Sequence, residues 1–165
     1  MRAMCMSTQQ GRISGNATSF NELFDQFTFV LPDFQRDYEW DLDNLETFFK
    51  DVYLQYKRDK PYFFGPILLV GSNTQGTLEI VDGQQRLTTV SIFLVALADL
   101  LHSTNDPACK SVAESCYQTI SQKLSTTWKP KITPYVKYDA FYTDLLQPGA
   151  PNTKIQQMTG KKRLE

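Results

Sequence analysis

The strongest constraint on the fold is an abrupt junction between an apolar, strand-like segment and a long apolar helix. Residues 77–81 read TLEIV, which is typical of a short strand, and residues 84–102 read QQRLTTVSIFLVALADLLH. A helix that is apolar nearly all round has to be buried on most faces. The junction also brings unpaired backbone N–H groups and the positive end of the helix dipole to one point.

Periodicity and turn residues predict the other elements. Ser19 and Glu22 form a capping box for a short helix, and Asp41 caps a second helix that ends near Arg58. QFTFVLP predicts a strand ending at Pro32, and YFFGPILLV forms a hairpin with residues 77–81. We expect a weaker helix over residues 108–125, then a strand, a turn and a short helix over about residues 138–146.

The chain has 165 residues and 41% apolar composition, enough for one core and hence a single domain. A mixed order of helices and few short strands favours an α+β fold. We expect a flexible leader over residues 1–18, the folded domain over 19–147, and a tail over 148–165. That tail could mark a truncation point followed by vector residues.

Composition and charge narrow the functional classes without excluding DNA. The net charge of −1 gives no global attraction to nucleic acid or anionic lipid, so any DNA contact needs a local patch or a partner. Three cysteines without C-x-x-C spacing and a single histidine argue against a structural metal cage. Without a 20-residue apolar run or a signal peptide, we expect a cytoplasmic protein with no membrane partner.

The junction itself has the chemistry of an anion site. Gly83 allows close backbone approach, Gln84 and Gln85 are polar, and Arg86 offers a planar fork for phosphate oxygens. Asp82 fits as a ligand for a metal ion or its water, as a holder for an arginine, or as a helix cap. A structural alternative stays open, because Asp-Gly is also a common turn dipeptide. Neither common glycine-rich nucleotide motif occurs in the chain.

A second polar cluster, LPDFQRDYEW at residues 31–40, places Gln35 and Arg36 among aromatic residues. Such an arginine can stack, hold phosphate or neutralise the carboxylate at the junction. Tyr38 and Trp40 are candidates for contact with DNA or a base. The alternative is that these two aromatic rings fasten the loop to the core.

Together the two clusters resemble the N-terminal domain of the GmrSD-type restriction and phage-defence proteins, a family related to ParB and sulfiredoxin folds. The family pattern is IPxYQRxYxW, then FxG in a strand, then xIDGQQRLTT before an apolar helix. Here it stands as LPDFQRDYEW, FFG at residues 63–65 and IVDGQQRLTT at residues 80–89, and the agreement spans about residues 20–146. Phe34 replaces a tyrosine and Leu31 an isoleucine.

This resemblance implies a small ParB/sulfiredoxin-like α+β domain, a short mixed sheet packed with helices, that binds and hydrolyses a nucleoside triphosphate. The nucleotide could be GTP, ATP or another, with Mg²⁺, and the system would act on modified DNA. The nucleotide-binding residues it implies are Gln35, Arg36, Asp82, Gly83, Gln84, Gln85 and Arg86. In many members a separate C-terminal nuclease domain carries His-rich metal chemistry. This chain has one histidine, so we expect a fragment or stand-alone sensing half, with that domain or a partner subunit missing.

In the expected mechanism, Gly83 and the N-terminus of the following helix bind the phosphates. Arg86 and Arg36 neutralise developing charge, and Asp82 positions Mg²⁺ or water. These three charged residues are the candidate catalytic set.

Two rival functions remain open. One is a non-catalytic module that senses modified DNA, in which basic residues contact the backbone phosphates and an aromatic ring meets the modified base. Its contact residues would be Arg36, Arg86, Lys57, Arg58 and Lys60, with Tyr38 or Trp40 at the base. The other is a ParB-like DNA nuclease. It ranks below the DNA-sensing module, because the carboxylates near the motifs are scattered and do not form a two-metal site.

Overall fold

The structure is a computed structural model that describes residues 2–9, 12–32, 35, 38–71, 76–125 and 128–133. Within these ranges the strands and helices interleave along the chain. The strands are β1 (Arg2–Gln9), β2 (Arg12–Ser19), β3 (Thr28–Val30), β4 (Phe63–Val70), β5 (Thr77–Asp82), β6 (Ser121–Lys123), β7 (Trp128–Pro130) and β8 (Ile132–Thr133). The helices are α1 (Phe20–Gln26), α2 (Leu42–Lys57), α3 (Gln84–His102) and α4 (Pro107–Ile120).

Six strands form one mixed sheet in the order β2-β1-β4-β5-β3-β8, and β6 pairs with β7 in a separate ladder. The pairs β1/β2 and β4/β5 are antiparallel, whereas β1/β4, β3/β5 and β3/β8 are parallel. The sheet and its helices make an α+β domain, as the sequence predicted. The closer assignment to a ParB/sulfiredoxin-like fold stays an expectation.

The sequence predicts a flexible leader over residues 1–18, and the structure has two strands in most of this range. The strands β1 and β2 form a hairpin, which pairs from Arg2 opposite Ser19 to Gln9 opposite Arg12. β1 also pairs with β4, some sixty residues away, from Arg2 beside Phe63 to Thr8 beside Val70. The hairpin is therefore held to β4 by backbone hydrogen bonds. Backbone pairing of this kind does not depend on an apolar repeat in the local sequence.

Local signals located the helix starts correctly. Ser19 and Glu22 make the reciprocal capping box of α1, with Glu22 N to Ser19 Oγ at 3.2 Å and Ser19 N to Glu22 Oε2 at 2.8 Å. Asp41 caps α2 by accepting from the backbone N of Asn44 at 3.0 Å. The predicted helix over 108–125 ends earlier, at Ile120, because the next residues pair with β7. The predicted helix at residues 138–146 and the tail over 148–165 lie outside the described residues.

The core lies between the central strands and α3, and it fixes the start of that helix. The N-terminal half of α3 contributes Leu87 and Val90 to the same cluster as Ile67 of β4 and Ile80 of β5. Its C-terminal half packs against α4. Burial of each such side chain stabilises the fold by about 1.5–3 kcal/mol. Among the described helices, none is long and apolar enough to span a membrane.

Candidate functional site

Gly83 makes the junction between β5 and α3. It is the N-cap of α3 with φ of 95°, in the left-handed region, and its carbonyl accepts from Leu87 N at 3.0 Å. A Cβ built there would lie 3.1 Å from Ile67 Cγ1 and 3.4 Å from Ile67 Cα. Both the backbone conformation and the close approach to β4 therefore require glycine. Because the N-cap is Gly83, the α3 N-terminus has no side-chain cap, and the interpretation of Asp82 as that cap is wrong.

Asp82 instead pairs with the side chain of Arg86. Holding an arginine is one of the three roles that the sequence left open for this aspartate. Arg86 Nη2 donates to Asp82 Oδ2 at 3.0 Å, and Arg86 Nη1 donates to the carbonyl oxygen of Phe64 at 3.4 Å. The arginine side chain is 23% exposed and that of Asp82 is 68% exposed. Since water screens the exposed carboxylate, the pair adds little stability and mainly orients the guanidinium.

Gly65 of β4 provides the space in which this guanidinium lies. Its φ is +87°, and a Cβ built on it would lie 2.5 Å from Arg86 Nη1. The sequence pattern contained this glycine in FFG but assigned it no role. A glycine inside a strand of β-forming residues is a known sign of close approach by another group, and that signal could have identified it.

The described part of the first cluster is tied to the junction through backbone groups. Gln35 Nε2 donates to the carbonyl oxygen of Val81 at 2.9 Å, and the backbone N of Glu39 donates to Gln85 Oε1 at 2.9 Å. Two of the predicted nucleotide-binding residues, Gln35 and Gln85, thus use side-chain atoms to join the loop to β5 and α3. The described residues of the two sequence clusters therefore meet at the α3 N-terminus.

Tyr38 and Trp40 fasten the same loop to the core. Thr89 Oγ1 donates its single proton to the carbonyl of Gln85 at 2.8 Å, so Tyr38 must be the donor in its 2.9 Å hydrogen bond to Thr89. Burial raises the pKa of the Tyr38 phenol. Trp40 is half-buried and packs edge to face on Phe48, with ring centroids 6.3 Å apart. These contacts support the interpretation that Tyr38 and Trp40 fasten the loop to the core, rather than the interpretation that they contact a base.

The other basic residues predicted to contact phosphate lie away from the junction or outside the described residues. Arg36 lies outside the described residues. Lys57 is in the last turn of α2, with its Nζ 5.7 Å from the Tyr53 ring centroid, and Arg58 is the C-cap of that helix. Of the basic residues proposed for the DNA-sensing module, Lys57, Arg58 and Lys60 therefore lie at or just after the C-terminal end of α2, whereas Arg86 lies in the first turn of α3.

The donor set fits Mg²⁺ only together with a phosphate. Within the described ranges no group of three or more His, Cys, Asp or Glu side chains is arranged to hold a metal ion. Mg²⁺ commonly binds one or two carboxylates and completes its shell with water and substrate phosphates. The exposed carboxylate of Asp82, beside an α-helix N-terminus, suits that shared coordination.

Comparison with known families gives a match over most of the chain. A family model described as GmrSD restriction endonuclease, N-terminal domain, matches residues 20–164. The match covers both sequence clusters and begins where α1 begins, after the β1–β2 hairpin. A search of the curated proteins found no significant match.

Proposed function

Because the chain belongs to the family of the GmrSD restriction endonuclease N-terminal domain, we propose that it binds and hydrolyses a nucleoside triphosphate. We further propose that hydrolysis serves restriction of modified DNA in anti-phage defence. The family makes this a domain of a restriction-system protein. The nucleotide, its hydrolysis and the DNA modification are the parts that need experiment.

One observation carries the proposal: a fixed arginine beside a helix N-terminus without a side-chain cap. The α3 helix has 19 residues, so its aligned peptide dipoles concentrate partial positive charge near Gly83. Two of the five N–H donors of Arg86 serve Asp82 and Phe64. The others can meet phosphate oxygens, which the backbone N–H groups at a helix start also attract.

The residues of the junction have separate proposed roles. Gly83 and the first turn of α3 cradle the phosphates through backbone N–H groups, which no side-chain cap occupies. Arg86, with Arg36 from the first cluster, neutralises charge that develops during phosphoryl transfer. Asp82 holds Arg86 in place and is the one junction carboxylate for Mg²⁺, which would neutralise phosphate charge when bound. Gln35 and Gln85 keep the loop and the junction together.

Direct reading of a modified base by Tyr38 or Trp40 does not enter the proposal. The hydroxyl of Tyr38 is hydrogen-bonded to Thr89, and the ring of Trp40 packs on Phe48. Releasing either ring for stacking would break these contacts. We therefore assign recognition of DNA to the restriction protein as a whole.

The test is calorimetric titration of the full chain with GTP and with ATP in the presence of Mg²⁺. We expect binding of one nucleotide, weakened about tenfold to a hundredfold by Arg86→Ala, because charge-assisted hydrogen bonds contribute about 1.5–3 kcal/mol. Arg86→Lys should recover only part of the affinity, since an ammonium lacks the planar fork. Lys123→Ala is the matched control, because Lys123 forms an exposed ion pair with Glu114 away from the junction.

Equal affinity in the parent and in Arg86→Ala would contradict the role given to this arginine. Release of inorganic phosphate by the parent, lost in Arg86→Ala and kept in Lys123→Ala, is the expected result for hydrolysis. Binding without phosphate release would leave a nucleotide-sensing domain and contradict the hydrolytic part.

A further inference from the structure

Helix α2 carries an apolar stripe that the described part of the domain leaves uncovered. Of its 16 residues only Phe48 is buried. Leu42, Phe49, Tyr53 and Tyr56 are 70%, 58%, 52% and 77% exposed. These positions are seven, four and three residues apart, so they follow one side of the helix over about four turns. Contiguous exposed apolar surface of this kind marks an interaction site.

The stripe borders a shallow groove between α2 and α3. Phe49, Tyr53 and Tyr56 line a groove of about 230 Å³ together with Val52 and Phe93 of α3. Phe49 packs edge to face on Phe93, with ring centroids 5.8 Å apart. The stripe is therefore attached to the core through α3, which gives a partner a preformed surface.

Charges are segregated along α2 beside the stripe. Asp43 and Glu46 lie in the N-terminal half, whereas Lys50 and Lys57 lie in the C-terminal half. Helical spacing places these four residues on the flank next to the stripe, and it places Asp51 on the opposite side. Within one copy Lys50 already pairs with Glu46 at 3.5 Å. The outermost charges, Asp43 and Lys57, are 14 residues apart and about 21 Å along the axis.

We propose that this stripe pairs with the same stripe of a second copy of the chain, with the two α2 helices antiparallel about a two-fold axis. Antiparallel pairing sets the acidic end of each helix against the basic end of the other, so that Asp43 of one copy faces Lys57 of the second. Parallel pairing about a two-fold axis along the helices would set this charged flank against the opposite flank of the partner and would lose these opposite-charge contacts. The self-complementary order of charges is what selects a second copy over an unrelated partner.

The available area predicts a weak, concentration-dependent dimer. Each aromatic side chain has about 150–250 Å² to bury. With three of them roughly half to three-quarters exposed, and Leu42 and the flanks added, each copy would bury about 500 Å². A total near 1,000 Å² lies at the lower limit for a specific interface. Association in the micromolar range is the expected result.

Sedimentation equilibrium of the full chain over about 1–300 μM tests the pairing. Tyr56→Glu should weaken dimerisation at least tenfold, and since Tyr56 is 77% exposed its replacement should leave the fold intact by circular dichroism. Leu100→Glu is the matched control, because Leu100 is 66% exposed on α3 and does not line the groove. It should dimerise like the parent.

Charge exchange tests the antiparallel geometry. Asp43→Lys and Lys57→Asp should each weaken the dimer, because each one sets like charges opposite each other at both ends of the helix pair. The double variant D43K/K57D restores both opposite-charge contacts and should recover most of the affinity. Within one copy the two positions are too far apart to compensate each other, so recovery in the double variant identifies antiparallel pairing.

Two outcomes would overturn the proposal. A monomer throughout the concentration range would mean that the stripe has another occupant, such as residues 134–165 or a different protein. A dimer that Tyr56→Glu and the charge variants leave unchanged would place the contact on another surface.

Discussion

Gly65→Ala tests the position of Arg86 without touching that residue. The new Cβ would lie 2.5 Å from Arg86 Nη1, well inside van der Waals contact, so the guanidinium has to move away from β4. It then loses its 3.4 Å hydrogen bond to the Phe64 carbonyl, at a cost of about 0.5–1.5 kcal/mol. The backbone at φ +87° adds about 1–3 kcal/mol of strain for a residue with a side chain.

A double-mutant cycle separates these two costs. Urea unfolding, followed by circular dichroism, gives the free energy of unfolding of the parent, Gly65→Ala, Arg86→Ala and the double variant. We expect Gly65→Ala to cost about 2–4 kcal/mol in the parent and about 1 kcal/mol less once Arg86 is absent. Gly76→Ala controls for the backbone term, because Gly76 has φ of +67° and nothing within 4 Å of a built Cβ.

The outcome that refutes the reasoning is specific. If Gly65→Ala costs the same with and without the Arg86 side chain, the guanidinium does not lie over Gly65. Nucleotide affinity gives an independent readout, because a displaced arginine should bind phosphate more weakly while Gly76→Ala leaves affinity unchanged.

Three further variants probe the scaffold, each checked by urea unfolding. Gly83→Ala should cost more than Gly76→Ala, because its Cβ meets the Ile67 backbone as well as its side chain, and equal costs would contradict the close packing at the junction. Tyr38→Phe should lose about 0.5–1.5 kcal/mol at pH 8. The folded-state pKa of Tyr38 is raised above its ordinary value of 10.0, so its contribution is complete below that pH and is lost as pH rises above it. The parent should therefore lose more stability than Tyr38→Phe between pH 9 and 11, and parallel curves would contradict this. Phe48→Ala should cost about 3–5 kcal/mol, because Phe48 is the one buried residue of α2 and contacts four aromatic rings, whereas a loss below 1 kcal/mol would contradict that packing.

Features encoded by neighbouring residues were predictable from the sequence. The Ser19–Glu22 capping box, the Asp41 cap and the antiparallel pairing of β4 with β5 each depend on residues close in the chain. The junction at Gly83 was also recognisable, because a strand ending in Asp-Gly before an apolar helix allows few other structures. These local signals were enough to identify the α+β class and to place the candidate site at the junction of β5 and α3.

Features that depend on distant contacts were not predictable in the same way. The β1–β2 hairpin is ordered by pairing with β4, and its sequence carries no comparable local signal. Gln35 was read as a ligand-binding residue, yet its side chain reaches the Val81 carbonyl, 46 residues away. The periodicity of α2 predicted a helix, but it could not distinguish Phe48, which is buried, from Phe49, which is exposed.

The most direct test of the central claim is a crystal structure of the full chain with Mg²⁺ and a non-hydrolysable nucleoside triphosphate. The account predicts phosphate oxygens about 2.7–3.2 Å from backbone nitrogens in the first turn of α3 and from the guanidinium of Arg86. A nucleotide bound elsewhere, with no phosphate at the Gly83 junction, would contradict it.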